Sequence, residues 1–347
     1  MKGELNVGIT IKEIAQMAGV HRSTVDKVLH NRPGVSDPVR QRIQKIIDEC
    51  HYEANPIGKA LQMQDKTLRI RVLMLEVDAY IFLKKGIEEG LKGYHSFQIE
   101  LAYEKTEYSD IEAQKAALEQ CIEDRLDGVI LSPINAQEIV EAIDRCTAAG
   151  IPVVTVNTDI KGSQRLCYIG QDGFKAGCVA GRLMGEFLQG HGKVAVFTSD
   201  SDNHQSFPFG TREGGFRKLV SEKYPGLEIL PNIYTKEKPQ IIHREMRRLC
   251  ETVPDLEGVF ITCGGVKAVG DVIEEYERQN IKLICFEKYP EIQELIKNDV
   301  VTATLDSEIE EQGRLSLEIL LDYLIYNKKP VKKHLYSEIK IILKECL

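Results

Sequence analysis

No two of the nine cysteines in this 347-residue chain form a C-x-x-C pair, and their number is odd. They lie singly at positions 50, 121, 146, 167, 178, 250, 263, 285 and 346. That pattern argues against a zinc ribbon or a disulfide framework and reads as reduced, mostly buried thiols in a cytoplasm. No apolar run is long enough to cross a bilayer, and the opening MKGELNVGIT lacks the apolar core of a signal peptide. A cytoplasmic location without a membrane partner is therefore expected. Catalytic signatures are also missing: there is no G-x-S-x-G and no H-E-x-x-H. GHGK at 190–193 lacks the spacing of a phosphate loop, with Val194 where Ser or Thr should follow, and reads as a helix-to-strand turn. SDSDNHQS at 199–206 has no recognisable ligand spacing and reads as a polar loop rather than a metal site. No internal repeat and no low-complexity tract is found. The expectation is a non-enzyme with no cofactor and no metal. The net charge of −8 argues further against non-specific coating of nucleic acid.

That charge is unevenly placed. Residues 1–66 carry ten Lys/Arg and eight Asp/Glu, a formal +2, which leaves −10 for the remainder. The sign suits an N-terminal segment that alone meets phosphates. Within it, Thr10 and Glu13 have the spacing of a capping box. Ile11, Ile14, Ala15 and Ala18 make an apolar helix face, and Gly19 can end the helix in the left-handed region. A second amphipathic helix then starts near His21, carrying Val25, Val28 and Leu29. Two short helices about a glycine turn form a helix-turn-helix, whose second helix enters the major groove; the alternative is a small helical bundle without DNA. Pro33-Gly34 suits a type II turn. Ser36 can cap a third helix, with Asp37 at its positive end and Ile43, Ile46 and Ile47 as its buried stripe. Asn55 can cap, and Pro56 start, a further helix reaching only to Met63, too short to be stable alone and weakened by Gly58.

In order and spacing, T-I-K-E-I-A-x-x-A-G-V, T-V-x-K-V-L, G-V-S, Y-x-A-N-P and the terminal Ala60-Leu61 resemble the lactose-repressor (LacI) family of bacterial transcription regulators. The resemblance implies a dimer on a near-palindromic operator in double-stranded DNA, with two hinge helices in the minor groove. Leu61 would be the wedge at the central base step; otherwise it is a stray linker leucine. Arg22, Ser23 and Lys27 are the best base-edge readers, with Thr10, His21, Thr24, Ser36, Asn55 and Lys59 completing the expected DNA contacts. His21 and Asp26 stand where the family commonly has serines. Asp26 could accept from a cytosine amino group, or pair with Arg22 one turn earlier.

From Arg69 onward the rhythm changes. Apolar runs at 70–75, 128–131, 151–156, 194–197, 258–261 and 281–286 alternate with helical stretches at 82–93, 109–124, 136–149, 211–223 and 239–253. Short buried strands alternating with amphipathic helices predict an α/β protein with parallel sheets. The length is too great for one ordinary sheet, so two lobes about a cleft are expected. The segments IPVVTVNTD (151–159), YIGQDGFKAGCVAGRLMGEFL (168–188), GTREGGF (210–216), EGVFITCGG (257–265) and TATLDSEIEEQG (302–313) resemble the same family's effector core, related to periplasmic sugar-binding proteins. The implied fold is an all-α helix-turn-helix headpiece (1–54), a hinge (55–68) and a two-lobed periplasmic-binding-protein-like core (69–347). Its first lobe would hold roughly 69–170 and 306–334, its second 171–305 and 335–347. The basic run 328–333 is read as a solvated crossover. Without a leucine-heptad tail after KIILKECL, a homodimer is expected rather than a tetramer.

Open α/β sheets bind ligands at their strand ends. By the resemblance, Tyr80, Phe82, Asn157, Arg212, Cys263, Glu287, Asp306 and Ser307 would contact a small effector in the cleft, and the same resemblance implies a carbohydrate. An arginine fork, a carboxylate and an amide suit adjacent hydroxyls, and an aromatic ring suits a sugar face. Arg212 could instead make a surface ion pair, and Phe82 could simply be core. Many relatives carry Asn-Asp where Cys263-Gly264-Gly265 stands, and Asp in place of Glu287. A simple pentose or hexose is thus not assured; a phosphorylated, acidic or larger glycoside stays open. The expected function is a ligand-controlled transcription regulator, expected to act as a repressor. Its rivals are a solute-binding protein of a transport system, disfavoured by residues 10–61, and an α/β enzyme acting on a sugar.

Overall fold

The computed structural model describes residues 9–29, 32–50, 60–61, 63–199 and 209–347. Asn55, Lys59, most of the expected hinge, and the polar loop beyond Ser199 lie outside them. The chain divides into two compact units, Met1–Thr67 with Leu321–Lys329, and Leu68–Leu320 with Pro330–Leu347.

The first unit opens with three helices: α1 (Ile11–Ala18), α2 (Arg22–Leu29) and α3 (Asp37–Glu49). The capping box is complete: the Thr10 backbone N–H donates to Glu13 Oε2 at 2.7 Å, and the Glu13 N–H donates to Thr10 Oγ1 at 3.3 Å. Gly19 ends α1 at φ 63°. At the start of α2 the His21 ring does the capping, its Nδ1 accepting from the Ser23 N–H at 3.3 Å. Gly34 has φ 92°, a value a side chain would resist. Ser36 occupies the cap position of α3, but its side chain makes no cap hydrogen bond. Ile14, Ala15, Ala18, Val25, Val28 and Ile43 form the small core, while Ile46 and Ile47 are only partly buried against it.

The second unit holds two sheets, one per lobe. The first contains β1 (Thr67–Leu75), β2 (Gln98–Thr106), β3 (Gly128–Leu131), β4 (Val153–Val156), β5 (Cys167–Gly170) and β12 (His334–Tyr336), in the order β12-β5-β4-β3-β1-β2. In the second, β6 (His191–Thr198), β7 (Gly226–Ile229), β9 (Leu256–Ile261), β10 (Lys282–Phe286), β11 (Val301–Asp306) and β13 (Lys340–Ile342) run β13-β11-β10-β9-β6-β7, with β8 (Ile233–Tyr234) beside β6. The β1-β3-β4-β5 and β6-β9-β10-β11 pairings are parallel, as continuous apolar runs demand. At one edge β13 runs antiparallel to β11. The chain passes between sheets after β5, after β11, and between Tyr336 and Lys340.

The crossover helices are α4 (Ala79–Leu91), α5 (Ile111–Glu123), α6 (Gln137–Ala148), α7 (Gly173–Phe187), α8 (Phe209–Lys223), α9 (Pro239–Thr252), α10 (Val266–Glu275), α11 (Pro290–Lys297) and α12 (Ile309–Tyr326). Two of their contacts position the site. α4 and α12 meet so closely that a Cβ on Gly86 would lie 1.8 Å from the Glu310 carbonyl oxygen. α7 and α8 meet likewise: a Cβ on Gly177 would stand 1.9 Å from the carbonyl oxygen of Arg212. Backbone thus rests on backbone beneath the arginine. Six of the cysteines are buried, and burial pushes the thiols of Cys121, Cys167 and Cys285 up to about 12. They behave as small apolar core residues.

Candidate functional site

Between the strand ends of the two sheets lies a cavity of about 80 Å³, room for several water molecules. From the first lobe come Leu75 at the end of β1, Asp78 and Ala79 at the start of α4, Tyr108, and Asn157 after β4. The second lobe supplies Arg212, Glu237, Cys263, Glu287 and Tyr289.

Three of these residues share an uncommon backbone. Asn157, Glu237 and Glu287 have φ of 66°, 56° and 69°, each one to three residues after a strand. The left-handed region is tolerable for asparagine and costly for glutamate. In each case the conformation turns the residue at a strand end toward the crevice. Glu287 is held there by its own backbone, its carbonyl accepting from Thr304 Oγ1 at 2.6 Å and its N–H donating to Leu305. Asn157 is pinned similarly: its N–H donates to Ile169, and its carbonyl accepts from the buried Tyr168 hydroxyl at 3.1 Å.

Arg212 is buried; its two terminal nitrogens are engaged, while its Nε–H makes no hydrogen bond. Nη1 donates to the Thr262 carbonyl at 2.9 Å, and Nη2 to Gln171 Oε1 at 3.1 Å and Glu287 Oε1 at 3.5 Å. The guanidinium carbon stacks 3.7 Å from the Phe286 ring centroid, a favourable place for a weakly hydrated cation. Burial pulls this guanidinium below its ordinary value, and Glu287 opposes the shift. Glu287 in turn is pushed above the usual carboxylate range by burial, against the pull of Arg212 and the Ser307 hydrogen bonds. Such a pair gains little net stability from its own attraction, but removing either member strands a buried charge.

Of the expected effector contacts, Asn157, Arg212, Cys263 and Glu287 line the cavity. Ser307 stands behind it, donating from Oγ to both Glu287 oxygens at 2.9 Å, and Asp306 pairs with Lys288 at 3.1 Å. Phe82 is one contact removed, stacked on Tyr289 with centroids 4.5 Å apart. Tyr80 does not line the cavity; its ring lies under Lys105, 5.4 Å away. Asp78, Tyr108, Glu237, Tyr289 and Glu291 line it without having been singled out. A signal for Glu237 existed. The stretches TKEKPQ and FEKYPE both set a glutamate between a strand and a proline that opens a helix, α9 in one case and α11 in the other.

On the headpiece, His21, Arg22, Ser23 and Lys27 are exposed along α2, Thr24 is partly so, and Thr10 and Ser36 are exposed beside it. Asp26 pairs with Arg32 at 3.4 Å, not with Arg22 as the one-turn spacing allowed. The longer loop contact leaves Arg22 uncommitted to Asp26. Ala60 and Leu61 are helical, and Leu61 exposes 60% of its surface, a large apolar side chain offered to solvent.

Residues 77–329 match the periplasmic binding protein domain, and residues 10–55 match the bacterial regulatory proteins of the lacI family. The HTH-type transcriptional repressor PurR of Erwinia tasmaniensis is 23% identical over 324 residues, 90% of this chain and 89% of its own length. The sucrose operon repressor of Lactococcus lactis is 26% identical over 262 residues, 73% of this chain and 75% of its own. Among solved structures, the glucose-galactose binding protein GanP of Geobacillus stearothermophilus superposes with a TM-score of 0.73 at 23% identity, covering 82% of this chain and 99% of that one.

Proposed function

The chain belongs to the periplasmic binding protein domain family and carries a lacI-family regulatory segment ahead of that domain, and from this premise we infer that it is a DNA-binding transcription regulator controlled by a sugar or sugar derivative in the interlobe cavity. The carrying observation is the coexistence, in one chain, of an exposed recognition helix and a polar, aromatic-walled cavity at paired strand ends. Relatives named as repressors favour repression over activation.

The working division is a headpiece at 1–54, a hinge at 55–68 and an effector core at 69–347. Two copies would read a near-palindromic operator, with Arg22, Ser23 and Lys27 at base edges. Thr10, His21, Thr24 and Ser36 would bind nearby, with Asn55, Lys59 and Leu61 contributing from the hinge. Effector held by Asn157, Arg212, Glu287 and the residues behind them would change lobe closure and, through it, the order of the hinge segments.

The test is selection of binding sites from random duplexes by the full-length protein, followed by Leu61→Ala. Enrichment of a near-palindromic site is expected. The variant should lower the ratio of specific to non-specific affinity at one salt concentration, because an apolar wedge no longer opens the central step. Absence of an enriched site would sink the regulator reading; an unchanged ratio would remove only Leu61.

A further inference from the structure

The cavity's charge is lopsided. Asp78, Glu237, Glu287 and Glu291 line it as acids and Arg212 as the one base among the described lining residues, four negative against one positive. Arg212 is already matched to Glu287, and its fork is occupied by Thr262 and Gln171. Among the described lining residues, a phosphate or carboxylate entering here would meet one guanidinium already paired with Glu287, with only its Nε–H unpartnered, and three further carboxylates. The geometry is unfavourable for an anionic effector.

Glu237 sharpens the point. Its Oε1 accepts from Ser199 Oγ at 3.1 Å and its Oε2 from the Gly264 N–H at 3.3 Å, both neutral donors. Burial raises its carboxyl against the pull of these two hydrogen bonds, and the Asp78 carboxylate adds a smaller push upward. Asp78 also acts on Glu291 in the same sense. Asp78 belongs to the first lobe, whereas Glu237 and Glu291 belong to the second. Carboxyl groups from both lobes thus line one cavity, where the approach of like charges in a low dielectric is costly. Aromatic rings complete the wall: Tyr108 from one lobe and Tyr289, stacked on Phe82, from the other. Carboxylates and ring faces about a small cavity are the chemistry that holds an ammonium group.

We propose that the effector is a polyhydroxylated amine, such as an amino sugar or aminocyclitol, whose ammonium group sits between Asp78 and Glu237 and lets the two lobes close. Its hydroxyls face Asn157, Arg212 and Glu287. The proposal rests on the cavity being the effector site. It makes the ligand's positive charge a structural counterion, so that binding and closure are one event.

The experiment uses the full-length protein and matched probes by calorimetry. They are D-glucosamine and D-galactosamine, the neutral parent hexoses, the N-acetyl derivatives and the hexose 6-phosphates. The free amines should bind tightest, about tenfold or more above their neutral parents, as a charge-assisted contact implies. Glu237→Gln, which keeps size and one acceptor oxygen for the Gly264 N–H but removes charge, should close that gap by weakening the amines, and Asp78→Asn should do the same. Tightest binding by a neutral hexose, an N-acetyl derivative or a phosphate overturns the proposal. So does a gap that survives both substitutions, or failure of every amine to bind at millimolar concentration. The same preparations are assayed on the selected operator. Operator binding with no preference for amines refutes this inference alone, whereas absence of operator binding refutes the regulator reading beneath it.

Discussion

At the scale of single residues, the site is set by glutamates in backbone conformations they ordinarily avoid. Glu237 at φ 56° is held by Ser199 and Gly264 and carries a carboxyl raised by burial above its ordinary 4.5. A carboxyl raised in the folded state is protonated more readily there than in the unfolded chain. Its contribution is therefore most favourable below pH 4.5 and declines as pH rises through the folded-state value. Glu237→Gln should accordingly raise the melting temperature of the ligand-free protein near pH 7, and the gain should shrink as pH falls toward 4.5. Scanning calorimetry of both proteins across that range checks it. A gain independent of pH would mean that Glu237 is not charged at neutral pH.

Among the elements, α8 matters most because it delivers Arg212. α8 sits against α7 through reciprocal glycines: a Cβ on Gly177 would meet the Arg212 carbonyl oxygen at 1.9 Å, and one on Gly215 the Phe174 carbonyl oxygen at 2.0 Å. Gly214, their neighbour on α8, would meet nothing within 4 Å. Gly177→Ala should thus destabilise by about 1–3 kcal/mol through overpacking against backbone that cannot rotate away. Gly214→Ala should stabilise by up to about 1 kcal/mol through helix propensity. Denaturant unfolding of the two variants reads the difference in sign. Equal effects would show that the α7–α8 contact is looser than these distances.

For the whole molecule the question is whether two functions are separable. Arg212 lies in the core, and the proposed base readers of α2 lie in the headpiece. Arg212→Ala should lower effector affinity by at least about a hundredfold, since it leaves Glu287 buried with only Ser307 for support. Operator binding without ligand should persist, so an effector-released repressor would stay permanently on its operator. Calorimetry with the effector and an operator shift with and without it measure both halves. Loss of ligand-free operator binding together with a lowered melting temperature would mark Arg212 as an arginine of the fold.

Much of the architecture was legible because it depends on local chemistry. The capping box of Thr10 and Glu13, the left-handed Gly19 and the strand runs at 128–131 and 258–261 follow from propensity and period alone. β2 escaped because Gln98–Thr106 has no continuous apolar run; Ile99, Leu101 and Tyr103 alternate with polar or small residues on a half-exposed edge strand. Asp26 found Arg32 instead of Arg22 because loop geometry, not helical spacing, brought the charges together. At the site, Arg212 and Asn157 could be picked out because their segments resemble a family, and Glu287 as the strand-end carboxylate the same resemblance implies; Glu237 carried only the strand-Glu-Pro pattern, and Asp78 and Tyr289 carried no signal. Those three become neighbours only when two lobes close strand ends onto one another, joining residues up to 211 positions apart in sequence, Asp78 to Tyr289. Periodicity is a property of adjacent residues and determines which helices and strands form. The charge of a cavity is a sum over distant residues, and only the tertiary structure decides which carboxylates are counted in it.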